Sequence, residues 1–282
     1  MATPSDPLRN PLPPAVRAFD ETAERFDERF GEWRSVAAQR AAVRAYLLGL
    51  FPAGSSLLEL GGGTGEDARF MLEHGRRVVL TDGSPRMVAH ARAKLREAGY
   101  GDAPVEQVVL ERLDDFIARA AALGVVPFDG AYSNFAALNC VSDPAALARP
   151  LARLLRPGAR CALVVFGRAA PGEVIVELLR GRPRSALRRF RAGPAPAHIG
   201  REHFQVWYPS PDEVARALTP FFRLRALRGI GILVPPSAAE PFASRFPRVV
   251  AALAAADRAL SAPLARFGDH VLIDLERTSE KV

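Results

Sequence analysis

The chain has little that could staple it. Two cysteines, Cys140 and Cys161, in 282 residues are too few for a disulfide framework and lack metal-ligand spacing, so no metal is expected. No apolar run approaches the roughly 20 residues of a membrane span. The start, MATPSDPLRNPLPP, has no apolar signal core, and the expectation is a cytoplasmic protein without a transmembrane segment. Lysine is nearly absent: of 38 basic residues only Lys94 and Lys281 are lysine. A general bias toward arginine would by itself produce the net charge of +7, which weakens that charge as a sign of nucleic-acid binding. The one local concentration, RGRPRSALRRFR, holds six arginines within 180–191. It suits a solvated face, an anionic small substrate or a lipid surface better than nucleic acid.

What is present is the composition of a globular protein, 49% hydrophobic and 24% charged. From Ala15 to Leu50 the apolar residues Phe19, Phe26, Phe30, Trp33, Val36, Val43, Leu47 and Leu50 recur at mostly helical spacing, enough for one or two amphipathic helices. Then strand and helix patterns alternate: SSLLEL as strand and EDARFMLEHG as helix, closed by Gly75. RVVLT is the next strand, and Ser84 caps a helix with Pro85 in its first turn. VEQVVL is a third strand, DDFIARAAAL a helix, FDGAYS a fourth strand, PAALARPLARLL a helix and RCALVVFG a fifth strand. Near-continuous apolar strands separated by helices predict a parallel sheet covered on both faces. After Gly167 the rhythm breaks. Ala169 to Pro209 reads as irregular, PDEVARALTP as a short helix, FRLRALRGIGILV as a strand, Phe242 to Leu260 as an alanine-rich helix and HVLIDLE as a closing strand that pairs antiparallel.

The stretch LLELGGGTGEDA carries four glycines within five residues behind the first strand. At that turn, in open α/β sheets, backbone approaches a ligand closely. A phosphate loop would need Gly-Lys-Ser/Thr, and a dinucleotide fingerprint would need a small residue where Glu66 stands. Glu66 and Asp67 at a helix amino terminus disfavour a pyrophosphate, because they already place negative charge at the positive end of the dipole. A cationic ligand without phosphates fits better.

In these residues the chain resembles the class I S-adenosylmethionine-dependent methyltransferases, from about Phe19 to Gly167. Their first motif corresponds to Glu59, Gly61, Gly63 and Gly65. The resemblance implies a doubly wound, mostly parallel seven-stranded Rossmann-like α/β sheet with an antiparallel closing strand and a helical lid. S-adenosyl-L-methionine would be the cofactor, with Glu59 near its ammonium and sulfonium groups. Asp82, ending the second strand, would accept the ribose hydroxyls, Gly83 would allow close approach, and Met87 would pack on the adenine. Glu111, Arg112 and Leu113 stand where many members have Gly-Asp-Ala; the two charged residues fall near the adenine and Leu113 closes the pocket. Asn134 and Phe135 would meet the cofactor's reactive end. The absence of Pro-Pro in SNFA counts against nucleic-acid methylation. An aromatic-Asp pair, Phe26-Asp27, would cover the cofactor and contact the substrate, and Arg40 could bind the cofactor carboxylate.

The acceptor is less defined. If it is a phenol or alcohol, a base with pKa near neutral helps. His74 and His90 read as covering-layer residues and His270 as structural or exposed. His203 is therefore the candidate base, beside Phe204, Trp207 and Tyr208, an aromatic set suited to an apolar substrate pocket. The expected layout is one methyltransferase domain over 1–282, with a helical cap at 1–50, the cofactor-binding core at 52–168, a lid and substrate region at 169–220, and closing strands and helix at 221–282. The expected activity is methyl transfer to O or N of a small, apolar or aromatic metabolite of specialised metabolism. The alternatives are an anionic acceptor held by the 180–191 arginines, or a cofactor- or nucleic-acid-binding protein without such transfer. Nothing in the sequence specifies an oligomer.

Overall fold

A computed structural model describes residues 11–31, 33–135, 137–191 and 193–282, without the side chains of 28–31. Two long helices come first, α1 (Pro14–Gly31) and α2 (Arg34–Leu50). The alternating region follows: β1 (Ser56–Leu60), α3 (Glu66–Glu73), β2 (Arg77–Asp82), α4 (Pro85–Glu97), β3 (Val105–Gln107), α5 (Asp114–Ala122), β4 (Phe128–Ser133), α6 (Ala148–Leu154) and β5 (Leu155–Phe166). Then come α7 (Pro171–Leu179), α8 (Pro183–Ala186), β6 (Ala195–Ile199), β7 (Glu202–Val206), α9 (Pro211–Ala217), β8 (Phe222–Ile230), α10 (Pro247–Leu260) and β9 (His270–Arg277).

Seven strands form one sheet in the order β3-β2-β1-β4-β5-β9-β8, with β1 to β5 parallel and β9 antiparallel to both its neighbours. The strands are apolar on both faces because both are covered. Leu57, Val78 and Leu80 meet Val43, Leu47, Met71, Ala91 and Leu95 from α2, α3 and α4 on one side. Leu58, Leu60 and Leu163 meet Phe116, Leu151 and Val214 from α5, α6 and α9 on the other. Because β9 runs backwards beside β5, its first residue, His270, pairs with Phe166 at the carboxyl edge of the parallel strands.

Four expectations change. β3 stops at Gln107 and a short 3-10 turn holds Leu110–Arg112, so Leu113 is buried in the hydrophobic core with Leu110 and Phe116. β8 ends at Ile230, four residues early. The helix expected from Phe242 begins only at Pro247, a residue that fits a first helical turn and disfavours helix before it. The segment expected to be irregular contains α7, α8 and the β6-β7 hairpin, which turns through Gly200 at φ +57°. Among the described residues no helix is long and apolar enough to cross a membrane.

Candidate functional site

The glycine turn lies at the carboxyl edge of β1. Gly61, Gly63 and Gly65 all have φ between +56° and +84°, the left-handed region that L side chains avoid. At Gly61 a Cβ would stand 2.4 Å from Ala137 Cβ, whereas at Gly63 it would meet nothing within 4 Å. The first glycine is demanded by packing, and the second presents bare backbone to open space.

Asp82 anchors this turn. Its Oδ2 accepts from the Gly63 N–H and its Oδ1 from the Ser84 N–H, both at 2.8 Å, which leaves each oxygen a further lone pair. Burial pushes this carboxyl above its usual range against the pull of those two donors. Gly83 is glycine because Val16 of α1 packs there, 3.0 Å from a would-be Cβ. Ser84 caps α4 through the Met87 N–H, and Met87 is buried.

Glu59 sits beneath the turn, 1% exposed, its carboxyl against the position a Gly62 side chain would take. Burial, followed by the charge of Asp67, holds its pKa well above the carboxylate range. Its Oε2 is shut off from solvent and has no hydrogen-bond partner among the described residues. Asp67, read from the sequence only as negative charge at a helix amino terminus, is the connected acid: it accepts from Arg44 Nε at 2.6 Å and from Asn134 Nδ2 at 2.8 Å. That second bond ties the end of β4 to the start of α3. Phe135 follows at φ +49°, the one non-glycine residue in the left-handed region among those described, and such strain clusters at functional sites.

The amino-terminal helices close over this edge. Asp27 accepts from Thr64 Oγ1 of the turn and from Lys94 Nζ, both at 2.6 Å, and Asp20 accepts from Ser84 Oγ. Phe26, Asp27, Arg40, Arg44, Glu66 and Phe70 line a cleft of about 560 Å³ between α1, α2 and α3. Arg40 lies over the Phe135 ring at 5.3 Å, and its buried Nε has no hydrogen-bond partner among the described residues.

Glu111 and Arg112 lie on the 3-10 turn after β3, with Arg112 Nη2 donating to the Pro11 carbonyl. His203 is exposed on β7, its ring 5.9 Å from that of His198, while Phe204 and Val206 on the opposite face pack against Ala15 and Ala18 of α1. The histidine that the fold brings to the sheet's carboxyl edge is His270, which the sequence reading set aside. Its ring stacks on Phe166 at 4.8 Å and meets Phe135 edge-on at 5.3 Å. Tyr208 packs on Phe166, and Trp207 is tied through its backbone to Asn139. Arg189 lies over both Phe166 and Tyr208 and pairs with Glu173 and Asp269. No spacing rule marks His270, Gln39 or Asp269, because they come from segments more than 200 residues apart; only the antiparallel closing strand could have suggested them.

The sheet order, with a glycine turn at its carboxyl edge, is that of the α/β Rossmann-like methyltransferase fold. Residues 58–161 match the family model described as methyltransferase domain. Over 122 residues it is 36% identical to an S-adenosyl-L-methionine-dependent Diels-Alderase of Talaromyces variabilis, covering 43% of this chain and 40% of that one. Over 161 residues it is 32% identical to a malonyl-acyl-carrier-protein O-methyltransferase of Pectobacterium atrosepticum, covering 56% and 54%. The chain thus spans about half the length of the curated relatives it matches. Among solved structures, geranyl diphosphate C-methyltransferase from Streptomyces coelicolor superposes with TM-score 0.52 at 16% identity over 85% of this chain and 79% of that one. A methyltransferase of Methanosarcina mazei gives 0.54 at 17% over 83% and 98%. These last two show the fold alone.

S-adenosylmethionine is the cofactor of this domain class, and the residues present fit it. Gly63 leaves a cradle without a side chain, Asp82 has free lone pairs beside it, and Arg40 has an unpaired buried nitrogen. A phosphate would fit poorly against Glu66, Asp67 and Asp82.

Proposed function

We propose that this protein transfers a methyl group from S-adenosylmethionine to an oxygen or nitrogen of a small, largely apolar or aromatic acceptor. The observation that carries the proposal is Asp82, oriented by the Gly63 and Ser84 amides beside a glycine cradle. Asp82 would hold the ribose hydroxyls, Arg40 the carboxylate, and the Gly61–Gly65 backbone the chain between them. When bound, the cofactor supplies an electrophilic methyl group on a cationic sulfur. Because that carbon is already activated, the protein's part is mainly to place a nucleophile in line with it and keep water out. Phe135, Phe166 and Tyr208 supply an apolar wall at the carboxyl edges of β4 and β5, which suits an aromatic or apolar acceptor.

An anionic acceptor held by the 180–191 arginines has less support, since Arg180, Arg188 and Arg189 are engaged by Glu177 and Glu173. A second reading, cofactor binding without methyl transfer, draws on the relative named a Diels-Alderase. Calorimetry with S-adenosylhomocysteine separates these from failure of the whole proposal: wild type binds, and Asp82→Ala loses affinity by about 100-fold, the worth of two hydrogen bonds to a charged group. A metabolite extract incubated with methyl-labelled cofactor then yields a labelled product; binding without any labelled product favours the second reading. No binding by wild type refutes both.

A further inference from the structure

We propose that His270 is the group that takes the proton from a hydroxyl-bearing acceptor, through Nε2, with Gln39 and Asp269 fixing its tautomer. This deepens the transferase reading and rests on it.

The hydrogen bonds decide which ring nitrogen is basic. Gln39 Nε2 lies 3.3 Å from Asp269 Oδ2, and His270 Nδ1 lies 3.1 Å from Gln39 Oε1. An ionised carboxylate can only accept, so the amide nitrogen of Gln39 must face Asp269, and its oxygen faces the ring. His270 Nδ1 must therefore carry the hydrogen, and it also lies 3.5 Å from Asp269 Oδ2, a second acceptor. The neutral ring then has its lone pair on Nε2. That atom has no hydrogen-bond partner among the described residues, yet it is not one of the buried atoms shut off from solvent.

Asp269 is held below the usual carboxylate range despite complete burial, by the charge of Arg189 and by hydrogen bonds from Arg189 and Gln39. Arg189 donates to Asp269 Oδ1 at 2.8 Å and to the Gly167 and Asp269 carbonyls. Glu173 faces Arg189 from α7, and Arg40 approaches from α2 over Phe135. Burial pushes His270 down to about 4, against Asp269 and with Arg189, so the ring is neutral across physiological pH. A neutral ring with Nδ1 committed to Gln39 leaves Nε2 as its one basic nitrogen, the arrangement a triad uses to hold a base.

In the step, the acceptor oxygen forms its bond to the methyl carbon as the carbon–sulfur bond breaks, its electron pair leaving with sulfur. The acceptor's proton goes to Nε2, giving an imidazolium whose Nδ1–H stays on Gln39 beside ionised Asp269. Release to solvent restores the neutral ring. An aliphatic or phenolic hydroxyl needs such a base; an amine, nucleophilic without one, does not.

The test begins on the protein without substrate. Nitrogen-15 NMR of the histidine rings, with His270→Asn assigning the signal, is expected to show His270 as the Nδ1–H tautomer with Nε2 unprotonated from pH 8 to pH 5. Gln39→Leu removes the nearer acceptor and should raise the Nε2–H fraction, Asp269 holding the rest as Nδ1–H, while S-adenosylhomocysteine binding stays within threefold. Turnover of any hydroxyl acceptor found with labelled cofactor should fall at least 100-fold in kcat for His270→Asn, with KM little changed. A wild-type Nε2–H tautomer, an unmoved tautomer in Gln39→Leu, or kcat within threefold in His270→Asn overturns the proposal. Loss of cofactor binding by wild type would instead sink the transferase reading, whatever the tautomer.

Discussion

The two ends of the sheet's carboxyl edge are built in opposite ways. At β1 and β2 the site is made of backbone: glycines in the left-handed region, amides on Asp82, open space at Gly63. At β5 and β9 it is made of side chains, with Arg189 paired to Glu173 and Asp269, and Gln39 bridging Asp269 and His270. A backbone cradle can hold a constant ligand while the sequence around it drifts. In a side-chain network, removing one member leaves its partners' buried charges or hydrogen bonds unmet. Damage to the first should therefore be read in cofactor binding, and damage to the second in folding and, at His270, in turnover.

The largest effect is expected at Arg189. Arg189→Met leaves Glu173 and Asp269 facing each other without their cation, and removing one partner from a buried ionic group costs about 3–5 kcal/mol. Urea unfolding checks it; a loss under about 1 kcal/mol would mean that the carboxylates find other partners and the network is not a unit.

Next comes the pH dependence of His270. The unfolded imidazole takes a proton near its ordinary 6.5, the folded one only near 4. Its depressed pKa therefore leaves stability intact above 6.5 and removes it as pH falls from there toward 4, by of order 2–3 kcal/mol in all. Unfolding of wild type and His270→Asn at pH 8, 6 and 4.5 should show a steeper acid loss for wild type; parallel curves would mean the ring is not buried neutral.

Gly63→Ala sharpens the contrast from the other side. The new Cβ meets no protein atom but sits at φ +56°, a strain of about 1 kcal/mol. Cofactor affinity should fall by tenfold or more, because the methyl enters the cradle. Equal affinity, with only folding affected, would move the ligand away from this turn. The smallest effect is expected at His203, where replacement by Ala should leave stability within about 0.5 kcal/mol and turnover within twofold.

This contrast also explains what could be read in advance. Strands β1, β2 and β4, the Ser84 cap and the glycine turn lie within local windows, where period and turn chemistry are visible in consecutive residues. Asp82 was legible because it follows the turn by a near-constant interval in such folds. Glu59 was legible as an acid, but its place beneath the turn depends on which face of β1 it takes, and its burial with Tyr132 on α3's side is a property of packing. The β6-β7 hairpin hid because proline and arginine dilute its alternation. His270 was legible only as the start of a strand. Its partners stand on α2 and in the lid, and no local pattern predicts that β9 runs antiparallel far enough to set it beside Phe166.

The most direct measurement is a crystal structure with S-adenosylhomocysteine bound. The account predicts the ribose hydroxyls on the Asp82 carboxylate, the amino-acid end between the Gly61–Gly65 backbone and Arg40, and the sulfur toward Phe135. Adenosine seated elsewhere, with the space beside Gly63 holding only water, would contradict it.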